Sequence, residues 1–319
     1  MVKPQNNPEP PYRIGILPIE GFALMSYAAL VEPLRAANLL ARRDLYQVIN
    51  LGQSMDAVQS SGSAGVTPDQ DLKSLPKLDY LFVVAGGDPA AFKNRRVLNW
   101  LAGMARSGVV LGGVSGGPVI LALAGLMEGR RMTVHWEHAP TLAELSPGLL
   151  IERTLYVIDR DRMTCAGGTA PMDMVLALIT DHHGVDFARL VSDWYMHTEI
   201  RPAIGPQRGG LVERVGVNTP AILHAVEAME DNLAEPLPLN RLADRARVSE
   251  RQLNRLFREK IGRSTMGYYR DLRLDKAQSL LRNSALSLTD IALATGFASS
   301  SHFSRAYSDK YGVAPSSVR

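Results

Sequence analysis

The chain has 319 residues, 46% of them hydrophobic and 21% charged, with a mass of 34.8 kDa and a mean hydropathy of −0.04. That is enough for two domains with buried cores, and it excludes a disordered or collagen-like polypeptide. The net charge of +3 selects no partner by itself, and the single cysteine, Cys165, excludes a disulfide framework or a multi-cysteine metal site.

Residues 1–11 (MVKPQNNPEPP) lack the apolar stretch of a secretory signal and read as a flexible tail. No apolar run approaches the ~18 residues that span a bilayer. A cytoplasmic protein with no membrane contact, metal or cofactor is therefore expected. From Tyr12, strands alternate with helices. Strands are predicted over Tyr12–Pro18, Tyr46–Leu51, Tyr80–Ala85 and Val109–Val114. A pair follows, Tyr156–Asp159 and Met163–Ala166, around Arg160-Asp161. Helices are predicted over Leu24–Leu40, Val97–Ala105, Gly117–Leu126, Pro171–Thr180 and Phe187–His197. This alternation predicts a flavodoxin-like α/β domain over 12–200, with a mainly parallel sheet sandwiched between helices.

Within it, Gly113-Val114-Ser115-Gly116-Gly117 fits Gly-x-Ser-x-Gly between a strand and a helix, the context of a nucleophile elbow. Glycine permits the sharp turn, and N–H groups at the helix start can hold an anion. His135-Trp136-Glu137 follows about twenty residues on. A hydrolase of this type needs Ser, then an acid, then His. The acids Asp159, Asp161 and Asp173 all follow His135, whereas His182, His183 and His197 follow the acids. Chain order thus leaves a Ser115-dependent amidase or hydrolase open as the alternative. His182-His183 reads as an exposed pair at a helix end, and Cys165 as a buried apolar residue in a strand.

The stretch 201–218 carries Pro202, Gly205, Pro206, Gly209, Gly210 and Gly216 without periodicity and reads as a linker. The remainder, 219–319, is predicted all-α. Between Leu239 and Arg282 it holds 12 Lys and Arg against 5 Asp and Glu, an electrostatic footprint for a polyanion. One short helix pair occurs twice. In the first, Leu242, Ala243 and Ala246 pack against Leu253, Leu256 and Phe257 across a turn at Arg247-Val248, with Ser249 capping the second helix. In the second, Leu288, Ile291 and Ala292 pack against Phe303, Ala306 and Tyr307 across Thr295-Gly296-Phe297, where Gly296 suits a positive φ. Two helix-turn-helix motifs in tandem result, joined by a basic helix over Tyr268–Arg282. The second helix of each would enter the major groove, presenting Arg251, Gln252 and Arg255 in one motif and Ser300, His302 and Arg305 in the other.

On these residues, and on Arg273, Ala277, Leu280, Leu281, Lys310, Gly312 and Pro315, the segment Leu239–Pro315 resembles the DNA-binding domain of AraC-type transcription regulators. The N-terminal part resembles the class-I glutamine amidotransferase-like (PfpI-like) fold. In that superfamily the elbow nucleophile is cysteine, where this chain has Ser115. The acid that follows the first strand in its enzymes is replaced by Gly21-Phe22-Ala23-Leu24, with Glu20 offset. Both departures, with Glu32-Pro33-Leu34-Arg35, Gly86-Gly87 and Gly167-Gly168-Thr169-Ala170-Pro171-Met172-Asp173, resemble the GlxA-like subfamily of AraC regulators. The resemblance implies a non-enzymatic regulator, an activator, acting on double-stranded DNA as a homodimer, with RNA polymerase as a further contact. It also implies a small effector, amino-acid-like or a quaternary amine, as in regulators of betaine, carnitine or arginine catabolism. The expected ligand site comprises Gly87, the N–H groups of Ser115, Gly116 and Gly117 for a carboxylate, His135, Trp136 for an ammonium by cation–π contact, and Glu137 as countercharge.

Overall fold

The computed structural model describes residues 11–73, 76–283 and 286–318, so the expected tail lies outside the described residues up to its last position. Two compact units are present, one ending at Gln207 and the other beginning at Arg208.

The first unit opens with β1 (Tyr12–Pro18), α1 (Leu24–Ala41) and β2 (Tyr46–Gly52). Three two-residue strands follow: β3 (Val58–Gln59), β4 (Gly65–Val66) and β5 (Gln70–Asp71). The centre is β6 (Tyr80–Ala85), α2 (Arg95–Arg106), β7 (Val110–Ser115) and α3 (Gly117–Leu123). Then come β8 (Arg131–Thr133), α4 (Ala139–Leu145), β9 (Leu150–Glu152), β10 (Tyr156–Asp159), β11 (Arg162–Cys165), α5 (Ala170–His183) and α6 (Val185–Trp194). The main sheet has the order β10-β11-β7-β6-β1-β2-β5, and all its pairs are parallel except β10 with β11.

The all-apolar run of β6 explains the layering. Tyr80, Phe82 and Val84 point into a core with Leu30 and Leu34 of α1 and Met174 and Ile179 of α5. Leu81, Val83 and Ala85 point the other way, onto Leu101 and Met104 of α2 and Val119 and Ile120 of α3. A strand buried on both faces needs no polar alternation. The strands β3, β4, β5, β8 and β9 carry no sequence signal that distinguishes them from loop, since two or three residues show no period. The helix expected over Gly117–Leu126 ends at Leu123, where the chain turns through Gly125 at φ 70°. The one expected over Phe187–His197 ends at Trp194 and leaves His197 outside it.

The second unit contains α7 (Leu211–Val215), α8 (Pro220–Glu230), α9 (Leu239–Ala246), α10 (Glu250–Ile261), α11 (Thr265–Asn283), α12 (Leu288–Ala294) and α13 (Ser300–Tyr311). The stretch expected as a linker is thus divided. Its start is pinned to the first unit by Gln207, and its end forms α7, tied to α8 by an Arg214–Glu230 ion pair. Each helix-turn-helix has its own core. Leu242, Ala246, Leu253 and Phe257 pack with Ile222 and Met229 of α8. Ile291, Ala292, Phe303 and Tyr307 pack with Leu274, Ala277 and Leu281. The long helix α11 serves both, giving Tyr269 to the first core and Leu274 onward to the second.

Candidate functional site

The two second helices are built alike. Ser249 Oγ accepts the Gln252 N–H at 3.2 Å and Ser299 Oγ accepts the His302 N–H at 3.2 Å, so a side chain satisfies a free donor at each helix start. The preceding turns use a positive φ: Arg247 at 56° and Gly296 at 71°. Gly296 is also crowded, since a Cβ there would lie 2.6 Å from the Pro236 ring. On α10, Leu253 and Phe257 are buried while Arg251, Gln252 and Arg255 are exposed. On α13, Phe303 and Tyr307 are buried, His302 and Arg305 are exposed and Ser300 is half-buried. Arg255 lies 3.8 Å from Glu259, an exposed pair that leaves its guanidinium available. Two further polar residues of these motifs do structural work. Ser299 is the cap of α13, and Asn254 Oδ1 accepts the Thr265 N–H at 3.1 Å.

Arg273, counted among the basic footprint, is a tie-bar. Its Nε donates to Thr295 O at 2.7 Å, its Nη2 donates to Gly296 O at 2.6 Å, and it lies over the Phe297 ring at 4.3 Å. Burial lowers its affinity for the proton. Arg273→Met keeps the stem and removes two charged hydrogen bonds to the turn, so it should destabilise the second motif by about 2–3 kcal/mol. A far-UV circular dichroism melt in urea should show the loss. Tryptophan fluorescence should not, because Trp100, Trp136 and Trp194 all precede Gln207.

In the first unit the elbow exists. Ser115 ends β7 at φ 60° and is 6% exposed, a conformation that costs a non-glycine residue energy. Two of its three expected anion donors are turned elsewhere. The Gly116 N–H donates to Ala85 O at 3.0 Å, and the Ser115 N–H faces the sulfur of Cys165. Burial pushes the Cys165 thiol up to about 12, against the pull of the Ser115 and Gly167 N–H groups, so it is the inert apolar residue the sequence suggested. No hydrogen bond joins Ser115 Oγ to His135. The His135 Nδ1 accepts the Glu137 N–H at 3.3 Å, and burial lowers the pKa of the ring. Glu20 accepts the Gln59 N–H at 3.2 Å. Glu32 holds Arg35 at 2.7 Å and the Tyr195 hydroxyl at 2.9 Å.

A cavity of about 190 Å³ lies nearby. Of the seven expected ligand residues it is lined by His135 and Trp136. Ser115 stands behind it: a Cβ on Gly167, which lines the cavity, would come within 2.7 Å of the Ser115 Cβ. Gly116 and Gly117 are packed into the elbow, Glu137 is half-buried, and Gly87 is exposed at φ 61°. The remaining wall includes Leu155, Thr169, Arg201 and Gln207.

Beside this cavity is a buried ionic cluster that periodicity did not reveal. Asp173, in the first turn of α5, is 0% exposed. Its Oδ1 accepts from His197 Nε2 at 2.9 Å and from the Arg201 backbone N–H at 2.8 Å. Its Oδ2 accepts from Arg201 Nε at 3.0 Å and Nη2 at 2.6 Å. Asp173 lay within the motif Gly167–Asp173, but nothing in the Pro/Gly-rich stretch marked Arg201 or Gln207. At the far end of α5 the expected exposed pair is corrected. His182 is stacked on Tyr12 at 3.8 Å, and its two ring nitrogens bond the hydroxyls of Tyr46 and Tyr80, each at 3.0 Å. Three strand-initial tyrosines enclose the imidazole, which no local pattern encodes. Among the described residues no cluster of three or more His, Cys, Asp or Glu could hold a metal, and no helix is long and apolar enough to cross a membrane.

Comparison with known proteins covers both units. A DJ-1/PfpI family model matches residues 13–181, and a Helix-turn-helix domain model matches residues 242–319. The HTH-type transcriptional regulator GlxA of Rhizobium meliloti is 45% identical over 309 residues, 96% of this chain and 95% of that protein. The HTH-type transcriptional regulator CdhR of Pseudomonas aeruginosa is 40% identical over 301 residues, 94% of this chain and 89% of its own. A crystal structure of an AraC family transcriptional regulator from Pseudomonas putida aligns with a TM-score of 0.54 at 28% identity, covering 58% of this chain and all of that one. A THiJ/PfpI family protein from Pseudomonas syringae, 21% identical with a TM-score of 0.55 over 75% of this chain and 90% of its own, shares the fold.

Proposed function

The chain belongs to the DJ-1/PfpI family and, along nearly its whole length, to the GlxA-like HTH-type transcriptional regulators; from that premise we propose that it reads duplex DNA with α10 and α13 under the control of a small effector held by the first unit. It is a DNA-binding transcription regulator. The observation that carries the finer reading is the duplicated motif, in which each second helix is N-capped by serine, backed by its own core, and exposes arginine. Arg251, Gln252 and Arg255 then read one major-groove segment, and His302 and Arg305, with Ser300, the next. A homodimer acting as an activator, with RNA polymerase as a contact, completes this reading.

The first unit, in this reading, is not an enzyme. A serine nucleophile needs a base in hydrogen-bond reach, and Ser115 Oγ is bonded to no histidine. The carboxylate offset at Glu20 is engaged with the β3 backbone. The elbow then serves as scaffold for a sensing cavity. A ligand there acts only through its differential affinity for two states of the protein.

Arg255→Ala and Arg305→Ala should each cost about 1–3 kcal/mol on a duplex selected by the wild-type chain, with little change on scrambled duplex. Gel-shift titrations at fixed salt check this. Equal losses on both duplexes would make these residues phosphate contacts, and no preference by the wild type would leave a non-specific binder.

A further inference from the structure

The turns of the two helix-turn-helix motifs close with the same hydrogen bond. The Val248 N–H donates to Ala243 O at 3.1 Å, and the Phe297 N–H donates to Ala292 O at 2.8 Å. In each turn the residue before that donor has a left-handed backbone, and there the motifs differ. The second motif places Gly296 at φ 71°, where there is no side chain to strain. The first places Arg247, at φ 56° and ψ 40°. An arginine in this region costs backbone energy that glycine avoids. Arg247 is exposed, and its side chain makes no ion pair or hydrogen bond among the described residues.

Charge is divided just as unevenly. Leu239–Ile261 holds seven Arg and Lys against three Asp and Glu, whereas Ser287–Tyr311 holds two against two. All seven cations of the first motif are exposed. Of the two in the second, Lys310 is bound to Asp275 and to Asp271 O, which leaves Arg305. The charge that can neutralise phosphates therefore sits on the first motif.

We propose that Arg247 is a phosphate anchor: it binds the DNA backbone at the edge of the major groove that α10 enters, and this contact is what the strained turn serves. The inference rests on reading α10 as a recognition helix, and it assigns a DNA-binding residue outside that helix. Arg247 lies two residues before Ser249, the cap of α10, and the capped end is the one that enters the groove. Phosphates border that groove, and contacts to them fix register without reading sequence. A guanidinium fits a phosphate as a two-pronged donor. With glycine at the matching position, the second motif lacks this contact, and the first motif sets the grip on DNA.

The test uses the full-length protein, a duplex selected by the wild-type chain and a scrambled duplex, in fluorescence anisotropy titrations over a range of salt. Arg247→Gly removes the cation and the strain together. The slope of log K against log salt should become shallower by about 0.9, the counterion release of one phosphate. At about 0.15 M salt that is a loss of about fivefold, equal on both duplexes. Arg247→Asn, neutral and tolerant of this backbone, should match it, and Arg247→Lys should keep the slope. The urea midpoint of Arg247→Gly, followed by circular dichroism, should be no lower than that of the wild type. An unchanged slope in both neutral variants overturns the proposal. So does a loss confined to the selected duplex, which would make Arg247 a base reader, and so does a lowered midpoint, which would make it a structural residue. If the wild type prefers its selected duplex while both neutral variants keep the slope, the anchor fails and the regulator reading stands. If the wild type shows no preference while both neutral variants lose slope, the anchor stands and sequence-specific reading fails.

Discussion

Asp173→Ala should destabilise the first unit by about 3–5 kcal/mol, the loss expected when one partner of a buried charge pair is removed. Asp173 is wholly buried and accepts four hydrogen bonds from His197 and Arg201. Without it the Arg201 guanidinium keeps a single partner among the described residues, Thr169 Oγ1, and the Arg201 backbone N–H loses its acceptor. The segment that carries Arg201 and Gln207 along the cavity should then loosen. Urea melts followed by tryptophan fluorescence report this unit alone, since all three tryptophans lie in it. Asp173→Asn, which keeps the shape and two acceptor lone pairs, should lose less. An alanine variant with an unchanged midpoint would show that the pair contributes nothing net.

The second large effect is expected at the elbow. Gly117→Ala should cost about 3 kcal/mol or more and abolish folding of the first unit at elevated temperature, because a Cβ at Gly117 would sit 2.0 Å from Val83 O. That obstacle is the backbone of a central strand, which cannot move aside as a side-chain tip can. Gly125→Ala, a control at a positive-φ turn with nothing within 4 Å of the added Cβ, should cost only about 1 kcal/mol of backbone strain. Fluorescence-detected melting of the two variants separates crowding from strain. Equal midpoints would contradict the packing argument.

The elbow shows how far a motif is legible. Gly-x-Ser-x-Gly, after a strand and before a helix, located the turn correctly, and its glycines suggested conformational freedom. In the structure the positive φ belongs to Ser115, and the flanking glycines are required for close approach. A Cβ on Gly113 would meet the backbone of Pro118 at 2.6 Å, and one on Gly117 would meet the Val83 carbonyl. A sequence pattern names the residues and leaves open which of two demands each one meets. The candidate ligand site follows the same rule. His135 and Trp136 line the cavity, whereas Ser115 and Gly116 turn their N–H groups to Cys165 of β11 and Ala85 of β6.

By itself the sequence determined the alternation of strand and helix in the first unit, the two helix pairs, the Ser249 cap of the first pair and the Gly296 turn of the second, and which arginines remain outside. All of these are set by neighbours within about four residues, where periodicity and capping act. Only the tertiary structure decided that Asp173 would meet Arg201, 28 residues away, and that Gln207 would turn its amide onto Thr133, 74 residues away. It likewise decided that His182 would be enclosed by tyrosines from three strands. These contacts join segments with no shared period. They are fixed by the packing of α5 and the 201–207 segment around buried groups that must find partners wherever the fold brings them.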